Sequence, residues 1–201
     1  MESANLSRRS LLQAIAAIIA STATPLGWTE VAQAMDAHTA QLPGADDKLA
    51  FFSASDASDV EAVAAQIIPT DDSPGAREAG AVYFIDRALS TFFSQLGGDY
   101  RSQLATFQAA CRTQHPEAAS FASLSSRQQL EYLKTIDQTP FFNTTRLLTL
   151  LGMFSLPSYG GNRGGVGWKL IGFEDAHVFH APFGYYDRDY PGFVIGPVKP
   201  K

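Results

Sequence analysis

The sequence predicts an all-α protein: about five helices in one bundle-like domain, followed by a long irregular arm rich in aromatic, glycine and proline residues. Three observations carry this. Between residues 55 and 156, apolar side chains recur at spacings of three and four, the period of an amphipathic helix. Those stretches are punctuated by Pro69, Gly97-Gly98, His115-Pro116 and Pro140, residue types that stop or start helices. After Leu156 the period vanishes, and residues 157–201 become a mixture of Gly, Pro and aromatic side chains.

Ser55 or Ser58 is a suitable N-cap for the first helix, which carries Val60, Val63, Ala64 and Ile67 on one face. Pro69 ends it by steering Ile68 out of the α region. Thr70-Asp71-Asp72-Ser73-Pro74-Gly75 then reads as a turn. A second helix is expected over roughly Arg77–Leu96. Val82, Ile85, Leu89, Phe92, Phe93 and Leu96 form its apolar stripe, and Gly97-Gly98 its stop. Asp99 is the expected N-cap of a third helix bearing Leu104, Phe107, Ala110 and Cys111. Ser125 and Gln128 have the spacing of a capping box for a fourth, whose core side is Leu130, Leu133 and Ile136. Pro140 suits the first turn of a fifth helix, Phe141 to about Phe154. Leu147, Leu148, Leu150, Leu151 and Phe154 surround much of its circumference, so it is expected to be the central buried helix. Beyond it, Trp168–Ile171 and Val194–Ile195 are the strand candidates.

Residues 1–34 read as an address. Ser7-Arg8-Arg9-Ser10-Leu11-Leu12 is a twin-arginine motif, the signal of a route that carries folded proteins. The apolar run Leu11–Ala20 falls short of the about 20 residues of a membrane span. Ala32-Gln33-Ala34 fits a small-x-small cleavage site, so the mature chain is expected to begin near Met35. An N-terminal anchoring helix is the alternative. Residues 35–54, rich in Ala, Ser, Asp and Gly, read as a flexible tether. That leaves 55–156 as the helical domain and 157–201 as a docking loop and C-terminal arm.

The net charge is −5, and it is unchanged by removing Glu2, Arg8, Arg9 and Glu30 with the signal. A mildly acidic chain without a basic block does not suit a nucleic-acid partner. Cys111 is the only cysteine, which excludes an internal disulfide framework, a cysteine-held iron–sulfur site and a C-x-x-C-H haem site within the chain. It is either a buried thiol or half of an intersubunit disulfide.

Gly160-Gly161-Asn162-Arg163-Gly164-Gly165-Val166-Gly167-Trp168-Lys169 invites a phosphate-loop reading, which fails on detail. Trp168 separates Gly167 from Lys169, Leu170 stands where Ser or Thr is needed, and no strand precedes. The glycines better suit close approach of backbone to another surface. Tyr159, Arg163 and Trp168 beside them are types enriched at interface hot spots. The alternative is a loop packed on its own core. His177 and His180 with Glu174 and Asp175 could suggest a metal, but the sequence around them does not favour the helical turn that pairs such histidines. Asp71, Asp72, Arg77, Glu78 and Asp86 have no paired nucleophile or base. Asp86 and Arg87 are expected on a helix face away from the core. The tail Phe183–Phe193, with Tyr185 and Tyr186, has the composition of a recognition surface.

Two blocks carry a resemblance. One is Ile67-Ile68-Pro69-Thr70-Asp71-Asp72-Ser73-Pro74-Gly75-Ala76, followed by Ala79-Gly80-Ala81-Val82-Tyr83-Phe84-Ile85-Asp86. The other is Tyr159-Gly160-Gly161-Asn162-Arg163-Gly164-Gly165-Val166-Gly167-Trp168-Lys169-Leu170-Ile171-Gly172-Phe173. Over roughly residues 55–175 the chain resembles the gluconate 2-dehydrogenase subunit 3 family. The resemblance implies the small subunit of a periplasmic, membrane-associated sugar or polyol dehydrogenase. Its large subunit would be a flavoprotein of the glucose–methanol–choline oxidoreductase type holding FAD. A membrane-bound multihaem cytochrome c would pass electrons on. The small subunit would be non-catalytic and without a cofactor of its own. It would help the large one mature and carry the export signal for both through the twin-arginine translocase. The expected partner surface is Tyr159, Gly160, Gly161, Asn162, Arg163, Trp168, Lys169 and Phe173, with Tyr185 and Tyr186 of the tail. A free-standing periplasmic binding or structural protein is the alternative, and a small hydrolase or metal enzyme a more distant one.

Overall fold

The computed structural model describes residues 48–175. Among them are six α-helices and no strand. They are α1 (Ala54–Ile67), α2 (Ala81–Ser90), α3 (Gly97–Gln114), α4 (Ser126–Thr135), α5 (Pro140–Phe154) and α6 (Val166–Ile171). Short 3-10 turns lie at Ser94–Leu96, Phe121–Ser123, Pro157–Tyr159 and Arg163–Gly165. The all-α class is the one the sequence predicts. Arg8, Arg9, His177, His180, Tyr185, Tyr186 and Val194–Ile195 lie outside the described residues.

The central helix is α5. It packs most extensively against α2, and also against α1, α3 and α6. The α2 contact is close because Gly152 faces Ala81: a Cβ at Gly152 would stand only 3.1 Å from the Ala81 Cα. At the other end of α5, Phe141 stacks on Phe107 of α3 with centroids 4.6 Å apart. Tyr100 joins them, its ring 5.6 Å from Phe141. Its hydroxyl shares a 2.9 Å hydrogen bond with Thr145 inside the core, so neither hydroxyl is left unsatisfied there.

Buried carboxylates tie the peripheral segments to this centre. Asp86 on α2 is 2% exposed. Its Oδ2 accepts from the backbone N–H of Ala50 at 2.8 Å, and its Oδ1 from Phe51 at 2.9 Å and Phe52 at 2.8 Å. Three charge-assisted bonds make a buried carboxylate tolerable, and they press the Phe51 and Phe52 rings into the core. Asp59 on α1 works the same way, accepting from the Ala122 N–H at 2.9 Å and from Gln108 Nε2 at 3.0 Å. Buried Gln129 completes the set. Its Nε2 donates to the carbonyls of Phe121 and Leu124, and its Oε1 accepts from Gln66 on α1.

Several expectations are corrected. The N-cap of α1 is Ser53, whose Oγ accepts from the Asp56 N–H, not Ser55 or Ser58. Phe51 and Phe52, within the expected tether, are core residues. The second helix is shorter than Arg77–Leu96, because 76–80 form a turn and the chain leaves helical geometry at Thr91. Gly97-Gly98 does not stop a helix but begins one. Leu96 and Gly97 both have right-handed helical dihedrals, so the chain runs directly into α3. Gly97 gives the Phe51 ring room: a Cβ there would lie 3.0 Å from it. Asp99 sits inside the first turn of α3, where its charge faces the positive helix end. Leu130 is 43% exposed rather than core, because Gln129 holds the inward position of α4. The Ser125–Gln128 capping box, the start of α5 at Pro140 and the end of α3 before His115 are as predicted.

Asp86→Ala removes the acceptor of three N–H donors at once, two of them, Phe51 and Phe52, buried. It is expected to lower unfolding stability by about 3 kcal/mol or more, read by urea denaturation, with amide exchange at residues 50–52 accelerating most. A loss below about 1 kcal/mol would mean that the Asp86 bonds do not anchor this segment.

Candidate partner interface

The glycine-rich segment after α5 folds back onto the helix it follows. The last carbonyls of an α-helix have no intrahelical donor, and here the following chain supplies several. Asn162 N–H donates to the Gly152 carbonyl at 2.7 Å. Its side-chain Nδ2 donates to the Ser155 carbonyl at 2.9 Å, and its Oδ1 accepts from the Gly167 N–H at 2.9 Å. Trp168 Nε1 donates to the Phe154 carbonyl at 2.8 Å. Asn162 is fully buried and sits in the left-handed region at φ 45°, a conformation its short polar side chain tolerates.

This arrangement needs glycine at two positions. A Cβ on Gly161 would collide with the Gly152 carbonyl, and one on Gly167 with the Met153 carbonyl. Both allow close backbone approach, as the sequence suggests, and the surface approached is the chain's own central helix. Trp168–Ile171, expected as a strand, falls instead within the helix α6, with the Gly167 N–H held by Asn162.

The residues expected at a partner surface therefore divide by exposure. Tyr159, Gly160, Gly161 and Asn162 are buried, and the Tyr159 ring packs edge-on to Phe92 at 5.7 Å. Arg163 is half-buried. Its N–H donates to the Ala79 carbonyl, and its guanidinium lies 3.9 Å from the centre of the Tyr83 ring. Trp168 is half-buried and tied to α5 through its indole N–H. Lys169 and Phe173 face solvent. Three apolar neighbours absent from the expected set are also exposed: Leu156 at 42%, Leu170 at 46% and Ile171 at 41%. Phe173, 50% exposed, rests its ring 5.2 Å from that of Trp168. The apolar pair Leu170-Ile171 was visible in the sequence, but a strand reading concealed that a short helix presents it to solvent.

The acidic residues weighed for catalysis shape turns and cores. Asp71 Oδ1 accepts from both the N–H and the hydroxyl of Ser73 at 2.9 Å, and these bonds hold its carboxyl below the ordinary range. Glu78 Oε2 accepts from Thr70 Oγ1 at 2.7 Å and from the Gly75 N–H at 2.8 Å. Arg77 pairs with Glu61 at the surface. Asp86, expected on an outer face, is the buried clamp described above. Cys111 is 2% exposed and unbonded. Burial pushes its thiol up, and the Asp59 carboxylate adds to the shift. Among the described residues no three His, Cys, Asp or Glu side chains gather where they could hold a metal.

Against known proteins, a family model described as gluconate 2-dehydrogenase subunit 3 matches residues 54–175, from the start of α1 to the last described residue. No curated protein and no solved structure matches the chain.

Two outcomes test this geometry. Gly161→Ala forces the loop off α5, so it is expected to cost about 2–3 kcal/mol of stability and to shift Trp168 fluorescence towards that of a solvated indole. Unchanged fluorescence and melting would disprove the backbone contact. Cys111 is expected to react with a thiol reagent only after denaturation, with no reducible heavier band on gels of the complex. Rapid labelling of the folded chain would contradict its burial.

Proposed function

We infer the function from membership: the chain belongs to the gluconate 2-dehydrogenase subunit 3 family, whose members are accessory subunits of dehydrogenase complexes. In this reading it is the non-catalytic small subunit of a periplasmic sugar or polyol dehydrogenase. It acts as export escort and stabilising partner of a large FAD-bearing subunit of the glucose–methanol–choline oxidoreductase type. A membrane-bound multihaem cytochrome c receives the electrons, and the Arg8-Arg9 signal addresses escort and cargo together to the twin-arginine translocase.

The observation that supports this reading is the apolar edge formed by Leu156, Leu170, Ile171 and Phe173, each more than 40% exposed. Large side chains left in water beside a capped, closed core are surplus to this domain's own folding and suit a protein partner. Leu170 and Ile171 stand on α6, which Asn162, Gly167 and Trp168 lock to α5, while Phe173 lies just past its end and Leu156 just past the end of α5, so docking orders little additional chain. Burying such side chains gains roughly 1.5–3 kcal/mol each. Exposed Lys169, next to Leu170 in the chain, offers a charge beside them. Tyr185 and Tyr186, further along the same chain, extend the proposed surface. Buried Asn162 holds α6 through the Gly167 N–H, while Tyr159, Gly160 and Gly161 seat the preceding turn against Phe92, Tyr83 and Gly152.

Changing Leu170, Ile171 and Phe173 together to Asp is expected to leave helical circular dichroism intact and to reduce recovery of the flavoprotein with a tagged small subunit at least tenfold. Full recovery would remove this edge from the interface. Replacing Arg8 and Arg9 by Lys is expected to retain both subunits and the dehydrogenase activity in the cytoplasm. Normal periplasmic activity would mean that the large subunit travels independently.

A further inference from the structure

A groove of about 410 Å³ opens on the face of the domain remote from α6. It lies between the middle of α3, the end of α4 and the start of α5. The rings of Phe107, Tyr132 and Phe141 line its buried side, and Ala110, Ile136 and Pro140 its walls. Apart from the Gln103 amide, the polar side chains that border it are hydroxyls, each turned back onto the protein. Ser102 Oγ donates to the Gly98 carbonyl, Thr106 Oγ1 to Ser102 and Thr139 Oγ1 to Ile136. Tyr132 donates to the Phe107 carbonyl at 3.1 Å. The groove therefore offers methyl groups and rings, with few hydrogen-bonding groups free to meet a ligand's own. A polar ligand or a tyrosine hydroxyl would lose hydration there without replacement. Aliphatic side chains would not.

We propose that this groove receives the apolar run Leu11–Ile19 of the chain's own N-terminal segment, sheltering the export signal against the folded domain. Apart from Gln13 the run is aliphatic, and a helical reading of it puts Leu11, Ile15, Ile18 and Ile19 on one face at spacings of i, i+4, i+7 and i+8, the pattern of a helix laid in an apolar groove. Reach favours it as well. The described chain begins at Lys48, and three residues later the Phe51 carbonyl accepts from Arg101 on α3 at 2.9 Å. Arg101 adjoins Ser102 at the groove's rim. Residues 21–47 make a link whose average span as a flexible chain is roughly 30 Å, while only two ring contacts, 6.3 and 5.6 Å, separate Phe51 from Phe141. The C-terminal arm is the poorer occupant. It leaves the described fold after Asp175, beyond the far end of α5, roughly 20 Å along the helix from Phe141. Its Tyr185-Tyr186-Asp187-Arg188-Asp189-Tyr190 stretch would bring hydroxyls and charges to a lining with little to bond them. Tethering raises the local concentration of the run to the millimolar range, so even a weak helix–groove contact stays occupied. The inference needs only the groove and the run, and stands whether or not the chain escorts a partner.

The test is a benzophenone amino acid at Thr106 in the purified full chain, with captured peptides mapped after irradiation. Residues 11–19 of the same molecule are expected to dominate. Their capture should be unchanged on tenfold dilution and should fall at least tenfold in Ile15→Asp, a change outside the folded domain. Ala110 is a second probe position should Thr106 disturb the helix, as judged by circular dichroism. Capture of residues 176–201, capture that falls on dilution as for a second copy, or capture insensitive to Ile15→Asp overturns the proposal. So does capture no greater than from a probe at exposed Arg127.

Discussion

The last turn of α5 is the constraint on which the rest of this structure depends. A helix that ends beneath other elements must find donors for its final carbonyls, or lose the stability of its packing. Here Asn162 and Trp168 supply them, reaching the carbonyls of Gly152, Phe154 and Ser155. The glycines between are the steric condition of that reach. Once the cap is set, α6 has one orientation, and the apolar edge it carries points to solvent in a fixed way. A sequence that resembles a nucleotide loop or a sticky docking loop is thus first a helix cap. Its contribution to binding, if the edge docks as proposed, passes through that cap.

The buried polar residues follow a common logic. Asp86, Asp59, Gln129 and Asn162 are each nearly inaccessible; the two aspartates bond backbone N–H groups of segments distant in sequence, and Gln129 and Asn162 bond backbone groups of neighbouring turns. Short helices joined by irregular turns bury less apolar surface per connection than long ones. Charge-assisted bonds to backbone N–H groups fix where the connecting chain lies. In a protein whose family partners dehydrogenase subunits, such a rigid frame lets an exposed apolar edge persist without collapsing onto its own core.

The fold class, the capping box at Ser125–Gln128, the proline start of α5 and the central role of α5 could all be read from the chain. Each rests on interactions within a few residues, or on a hydrophobic period, which a linear sequence records directly. The family resemblance was legible too, because its two blocks are the turn before α2 and the cap of α5, where packing leaves little freedom. Residue types in the block 159–173 were recognised, but their division into buried and exposed was not.

That division belonged to tertiary structure. Gly97 reads as a stop, yet it starts a helix because Phe51, 46 positions earlier, needs its space. Asp86 reads as a surface acid, yet it is buried because three N–H groups of residues 50–52 converge on it. Leu130 gives way to Gln129 because carbonyls of a preceding turn and an amide of α1 reach the glutamine. Trp168–Ile171 reads as extended, yet it forms a helix because Asn162 places the Gly167 N–H against α5. For Gly97 and Asp86 the deciding partner lies far along the chain; for Leu130 and Trp168–Ile171 it includes a nearby turn that tertiary packing holds in place. Local propensity differs by about 1 kcal/mol or less between alternatives, and a buried hydrogen bond or a steric contact outweighs it. The sequence by itself determined which segments are helical in period and which family the chain resembles. Contacts across the fold decided which faces turn inward, and so which residues remain for a partner.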